Sequence, residues 1–236
     1  MTEALKKVSI ILPVYNQEDH IGKIMEEYEE VLQRMPVDYE VVLVTNACRD
    51  RSAEICKEMG ERNPRVKAVD IKEGGWGRAV RRGMKEATGE LICYTNSART
   101  SAEILSLTLL YAVSYPEVVV KANRKIRDSL RRRLGSLLYN LECRALFDLP
   151  TWDINGTPKI FPRSFTKLME LERDDDLIDA EFNMICRREN YPIIEVPVLS
   201  TRRHSGKSTT NYNSAVKMYL GVYEMWKKER NGNGRK

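Results

Sequence analysis

The chain has 236 residues, of which 42% are hydrophobic and 31% charged, with 39 Lys and Arg against 34 Asp and Glu. That composition builds a globular core and excludes a disordered polyelectrolyte or a fibrous repeat. The net charge of +5 favours an anionic ligand or surface without by itself indicating nucleic acid.

Residues 8–14 form an apolar run that reads as a buried strand. Helical spacing with acids outward follows over 21–35, then an apolar strand over 40–44 and a helix over 52–62. A strand over 65–70, a helix over 77–88 behind a Gly-rich turn and a strand over 90–94 complete the first hundred residues. The alternation predicts an α/β fold, a Rossmann-like and mostly parallel sheet flanked by helices. Further on, the pattern predicts a helix over 102–114 and a short strand over 118–120. A long basic amphipathic helix is expected over 124–146, broken near Gly135. Strands over 159–161 and 193–198 enclose a helix over 179–189, and a last amphipathic helix covers 213–230. No linker or internal repeat interrupts the chain. We therefore expect a single domain over 1–230, with a nucleotide-binding half (1–100), an acceptor-side half (101–230) and a disordered tail at 231–236.

The five cysteines, Cys48, Cys56, Cys93, Cys143 and Cys186, form no Cys-x-x-Cys pair and have no histidine cluster beside them. This argues against a zinc site or disulfide framework and for reduced thiols in a cytoplasmic protein. The N-terminal residues show no signal-peptide pattern, and no apolar run reaches the roughly 18–20 residues of a membrane span. Membrane contact is expected to be peripheral, at the inner face.

In sheets of this kind the ligand sits beyond the carboxyl ends of the strands. Those ends here are polar or glycine-rich: Pro13-Val14-Tyr15-Asn16, Thr45-Asn46-Ala47-Cys48, Ile71-Lys72-Glu73-Gly74-Gly75 and Thr95-Asn96-Ser97. Together with Gly75-Trp76-Gly77-Arg78-Ala79 and Glu195-Val196-Pro197-Val198, followed by Arg203-His204-Ser205-Gly206-Lys207, they resemble the family 2 glycosyltransferases of the GT-A fold. The closest likeness is to the polyprenyl- and dolichol-phosphate sugar transferases, and it covers roughly positions 8–225.

The resemblance implies inverting transfer of a sugar from a nucleoside-diphosphate sugar to a polyprenyl-phosphate or other acceptor. No nucleic-acid partner is expected, because the basic stretch from Arg124 lacks interleaved aromatics. The resemblance implies nucleotide contacts from Pro13, Tyr15, Glu18, Asn46, Gly75, Arg78, Asn96 and Ala98. Two departures stand out. Thr45-Asn46-Ala47-Cys48 replaces the family's Asp-Asp-Gly-Ser, although Asn46 still offers a donor and an acceptor to a base edge. Asn96-Ser97-Ala98 stands where the metal-binding Asp-x-Asp is expected. Magnesium and manganese want hard anionic oxygens, which Asn and Ala do not supply. The expectation is therefore no metal cofactor, with Arg99, Arg124, Arg203 and Lys207 meeting the diphosphate instead. A catalytically silent sugar-nucleotide or membrane-surface binding protein on the same scaffold is the competing reading.

Three acids are candidates for catalysis. Asp153 lies in Trp152-Asp153-Ile154-Asn155-Gly156-Thr157-Pro158-Lys159-Ile160-Phe161, which resembles the family's acceptor-side segment. It orients a sugar hydroxyl, or it bonds its own backbone in an Asx-turn. Asp179 and Glu181 contact donor or acceptor, or they favour a helix N-terminus. The run Asp174-Asp175-Asp176 reads as a solvated turn. The segment 202–208 is a basic flap or a solvated loop. The basic helix from Arg124 suits an anionic lipid interface or is a plain solvated face. The last helix reads as core, with a homodimer contact as the secondary role.

Overall fold

The computed structural model describes residues 6–126, 130–199 and 212–233. The elements run β1 (Lys7–Val14), α1 (Ile21–Leu32), β2 (Asp38–Asn46), α2 (Ser52–Arg62), β3 (Val66–Ile71), α3 (Trp76–Glu86), β4 (Leu91–Tyr94) and α4 (Ala102–Ser114). They continue with β5 (Val119–Ile126), α5 (Leu130–Phe147), β6 (Lys159–Pro162), α6 (Thr166–Met169), α7 (Ile178–Arg188), β7 (Ile193–Leu199) and α8 (Tyr212–Asn233).

The seven strands form one sheet in the order β3-β2-β1-β4-β6-β5-β7. The β1–β2, β1–β4, β2–β3 and β5–β7 pairs are parallel, and β6 alone runs antiparallel to both its neighbours. The central strands are apolar on both faces because helices cover both. Val8, Ile10 and Leu12 of β1 face the layer of α1, α2 and α4, while Ile11 faces that of α3 and α7. A third apolar cluster joins α5, α7 and α8 through Tyr139, Cys143, Ala180 and Val222.

Three expectations need correction, and one short helix was not expected. Arg124–Ile126 are strand and not the start of a helix, because β7 offers a parallel ladder in which Arg124 pairs with Val198 and Ile126 with Leu199; tertiary pairing overrides local spacing. The helix α5 passes through Gly135 unbroken, and a side chain there would meet nothing within 4 Å. The helix α8 reaches Asn233, so the tail expected from 231 is helical over its first residues. The short helix α6 gave no periodic signal.

The reversal of β6 positions the site. It brings Lys159 to the edge where β1, β2, β4 and β5 end. Register then aligns Tyr94 with Lys159, Lys159 with Lys121, and Lys121 with Glu195, one residue on each of four adjacent strands. Residues paired across a ladder share a face.

Candidate active site

The carboxyl edge of β1, β2 and β4 is a set of interlocked loops. Gln17 N donates to Ser52 Oγ (2.7 Å), Glu18 N to Asp50 Oδ2 (3.1 Å), Arg49 N to Asn16 Oδ1 (2.8 Å) and Arg51 N to Glu18 Oε2 (2.9 Å). Asn16 and Ala47 adopt left-handed backbone, with φ of 49° and 51°. Glu18 thus braces the neighbouring loop, while Tyr15 is exposed and Pro13 lies within β1 opposite Val44. Asn46 is buried, and its Oδ1 accepts from Gly75 N at 3.0 Å, tying β2 to the turn before α3. Its amide nitrogen is the part left for a base.

The loop after β4 bonds to itself and to its neighbours. Asn96 Oδ1 accepts from Ala98 N at 3.1 Å, and Ser97 Oγ donates to Gln17 Oε1 at 2.8 Å. Thr95 and Thr100 hydroxyls meet at 2.7 Å. Ala98 packs inward, buried, and Arg99 is half-buried beside it.

The start of α3 packs closely on the loop ahead of α7. Gly75 and Gly77 lie against the backbone of residues 173–175, where a side chain on Gly77 would collide with the carbonyls of Arg173 and Asp175. Arg78 is paired with Glu73 and with Asp174 Oδ2 (2.9 Å), and Arg81 with Asp174 Oδ1 (2.5 Å). The Arg78 guanidinium, with Arg81, holds the Asp174 carboxyl below the usual range although burial opposes it. Asp174 is therefore an anchor rather than a solvated turn residue. Both oxygens of Glu181 accept backbone bonds, from Glu172 N and Arg173 N at 2.9 Å each, which fixes the same loop.

Beyond β4 lies a buried charged network. Lys121 and Lys159 have no exposed surface. Lys121 Nζ donates to Asp153 O (2.6 Å) and Asn183 Oδ1 (3.0 Å) and lies 3.5 Å from Glu195 Oε1. Burial, and then the ammonium of Lys159, bring Lys121 down to about 8. Lys159 Nζ donates to Asp179 Oδ1, which also takes the Tyr94 hydroxyl at 3.0 Å. Burial lowers Lys159 from its ordinary value against the pull of Asp179. Asp153 is 2% exposed and grips Arg124 through Nε (2.7 Å), Nη2 (2.8 Å) and backbone N (3.0 Å). Burial opposes the Arg124 charge, and Asp153 more than compensates.

Lys121, Arg124 and Lys159 thus face Asp153, Asp179 and Glu195, three cations against three anions. Lys121, Asn183 and Glu195 escaped the sequence reading. The signal was present, since a lysine inside Val119-Val120-Lys121-Ala122 interrupts an otherwise apolar strand. Asp153, Arg124 and Asp179 come together here, whereas Glu181 belongs to the loop over α3. Arg203, Lys207 and His204 lie outside the described residues.

Comparison with known proteins follows from this geometry. The family model described as "Glycosyl transferase family 2" matches residues 9–167. An undecaprenyl-phosphate 4-deoxy-4-formamido-L-arabinose transferase of Pectobacterium atrosepticum is 25% identical over 225 residues, 92% of this chain and 67% of that protein. Its namesake in Pseudomonas savastanoi pv. phaseolicola is 30% identical over 206 residues, 85% of this chain and 56% of that one. The chain therefore spans about two thirds or less of the length of these relatives. Among solved structures, glucosyl-3-phosphoglycerate synthase from Mycobacterium tuberculosis, bound to Mn2+, UDP and glucosyl-3-phosphoglycerate, superposes with TM-score 0.70 at 14% identity, covering 92% of this chain and 77% of that one. Mannosyl-3-phosphoglycerate synthase from Rubrobacter xylanophilus gives 0.67 at 18% identity, covering 98% and 76%. These likenesses show the fold.

The expectation of no cofactor is corrected by this finding, because an enzyme of the same fold holds Mn2+ with its nucleotide. A divalent cation belongs among the groups this fold accommodates. The residues at Asn96-Ser97-Ala98 fit one poorly, since the slot offers an amide oxygen and a hydroxyl, each already hydrogen-bonded, and no carboxylate. Among the described residues no group of three His, Cys, Asp or Glu side chains is gathered for an ion. No step below is routed through a metal.

Proposed function

The chain belongs to glycosyl transferase family 2, and from that footing we propose that it carries a sugar from a nucleoside diphosphate to a lipid phosphate at a membrane surface. The observation that carries the lipid assignment is on α5. Leu134, Leu137, Leu138 and Leu141, at spacings of three and four, are each more than half exposed. On α8, which packs against α5 through Tyr139 and Tyr219 and through a Tyr219 hydroxyl bond to Gly135 O (2.7 Å), Leu220 and Tyr223 are exposed as well. A leucine row left in water at this spacing is the apolar face of an interfacial helix. The residues Arg131-Arg132-Arg133 precede it in sequence and suit anionic headgroups. Among the described residues no helix is long and apolar enough to cross a membrane. The named relatives act on undecaprenyl phosphate, in agreement with this reading.

The nucleotide rests on the loops beyond β1, β2 and β4, and the acceptor phosphate approaches Arg124. Asp153 occupies Nε and Nη2 of that guanidinium, so Nη1 is the nitrogen turned to the acceptor. The phosphate oxygen attacks the anomeric carbon from the side opposite the nucleotide. The new carbon–oxygen bond forms as the bond to the diphosphate breaks, and the nucleoside diphosphate leaves with the electron pair. A phosphate acceptor is already ionised at neutral pH and needs no general base. That suits a site whose buried carboxylates are committed to Arg124, Lys159 and backbone amides.

The test is transfer of radiolabel from a panel of UDP-, GDP- and CDP-sugars, with Mn2+ present, into the organic phase containing undecaprenyl phosphate. Label in the lipid with one donor is the expected result. Donors that stabilise the fold in thermal shift but never label the lipid would replace the transferase with a binding protein.

A further inference from the structure

We propose that Trp152 is the seat for the isoprene units immediately behind the acceptor phosphate, and so selects the chain that the phosphate carries. This inference rests on the lipid-phosphate reading above and names the segment of that acceptor the protein touches first.

Trp152 is 60% exposed, yet its backbone is fixed by hydrogen bonds. Its N–H donates to both oxygens of Glu195, at 3.1 and 3.0 Å, and the next N–H, of Asp153, donates to Glu195 Oε1 at 3.2 Å. The preceding Thr151 is buried and bonds Asn183 Oδ1 at 3.0 Å. The charged network thus fixes the residues on both sides of an indole that faces water. One ring face is covered by the Arg144 guanidinium, 3.7 Å from the ring centroid. Among the described residues Arg144 Nη1 has no hydrogen-bond partner, and the guanidinium packs on the ring. A large aromatic surface fixed before binding loses little entropy when a ligand covers it.

Its position identifies the ligand. Asp153, the next residue, grips Arg124, so the indole lies one residue from the clamp on the guanidinium that meets the phosphate. On α5, Arg144 continues the row Leu134, Leu137, Leu138 and Leu141 by three more positions, so the residue that meets the ring shares a helix side with the exposed leucines. The exposed leucines and the guanidinium that covers Trp152 thus lie along one side of α5, and Trp152 directly precedes the residue that grips Arg124. A methyl-branched chain with a phosphate at its head matches that order of surfaces. A stacked sugar would need no leucine row.

The experiment uses the full chain with Trp152→Ala and Trp152→Phe, two acceptors (undecaprenyl phosphate and a straight-chain alkyl phosphate) and farnesyl phosphate as a binding probe. Trp152→Ala should raise KM for undecaprenyl phosphate about tenfold with kcat nearly retained, and Trp152→Phe should keep most of the affinity. KM for the sugar nucleotide and for the alkyl phosphate should move by less than about twofold. Farnesyl phosphate should quench tryptophan emission in the wild type and not in Trp152→Phe. A rise in the donor KM instead would assign the ring to the sugar, and unchanged values throughout would make it a solvent-facing residue; either overturns the seat. Should the wild type label no lipid phosphate at all, the transfer reading fails, and the farnesyl quench still decides whether Trp152 holds an isoprenoid.

Discussion

Replacing Asp153 by Asn separates a structural clamp from a chemical acid. The side chain keeps its shape and loses its charge. One oxygen facing Arg124 becomes an NH2 group, a donor set against a donor. Breaking a buried ion pair at one partner costs about 3–5 kcal/mol. Here the Arg124 side chain retains 19% exposure, and the remaining amide oxygen keeps one of its bonds. We therefore expect a loss of about 2–3 kcal/mol, which lowers Tm by about 5–10 °C in a chain of this size. The assay is thermal denaturation followed by circular dichroism, run beside acceptor KM. Arg124→Met combined with Asp153→Asn should recover much of the stability, giving a coupling of about 2 kcal/mol, and none of the acceptor affinity. If Asp153→Asn melted within about 1 °C of the wild type while turnover vanished, the carboxylate would be acting on substrate and the clamp argument would be refuted.

Two further outcomes follow from the structure. Glu40 accepts from Ser9 Oγ (2.5 Å), Thr88 N (2.6 Å) and Lys7 (3.0 Å); burial opposes its ionisation, and these bonds outweigh it and hold it at about 2. A carboxyl lowered in the folded state contributes stability above the unfolded value and loses it as pH falls towards the folded one. Glu40→Gln should therefore cost about 1–2 kcal/mol at pH 7, after allowance for solvent screening, and the gap in Tm from wild type should narrow between about pH 4.5 and 2; a gap independent of pH would show that the carboxylate charge contributes nothing. Asn96→Asp places a carboxylate in the slot after β4, and with UDP present it should tighten Mn2+ binding by about tenfold in calorimetry. Unchanged affinity would mean that the ion of this fold meets other groups in this chain.

Much of the fold was legible because it depends on local pattern. The strands β1, β2 and β4 are apolar runs ending in polar loops, and that alone locates the edge where a nucleotide is expected. The acceptor side was read less well because its determinants are long-range. Arg78, expected at the nucleotide, also pairs with Asp174, 96 positions away, a partner that local pattern does not show. Glu181 looked like a catalytic acid at a helix start, and its carboxylate closes the loop ahead of that helix. Lys121 and Glu195 become partners only when β5 and β7 lie side by side, and neither segment announces that pairing. Arg124–Ile126 were assigned to a helix because basic residues at helical spacing follow them, and a ladder partner some seventy residues on decided otherwise.

The balance of the buried network bears on how a phosphate finds this edge. Paired charges cancel at distances beyond their own spacing, so three cations locked to three anions project little field into solvent. Such a network does not draw an anion from afar. What it supplies is fixed geometry: one guanidinium aimed by a carboxylate, and one tryptophan whose backbone N–H is held by Glu195 and whose ring is covered by Arg144. Long-range attraction must then come from the excess of basic residues over acidic ones in the chain, +5 in all. The two tasks should separate by experiment-independent physics, because attraction through solvent is screened by salt within about 10 Å at 0.1 M, whereas contacts inside a closed site are screened far less. If the acceptor is the proposed lipid phosphate, its capture should be the salt-sensitive step and discrimination of its chain at Trp152 the salt-insensitive one.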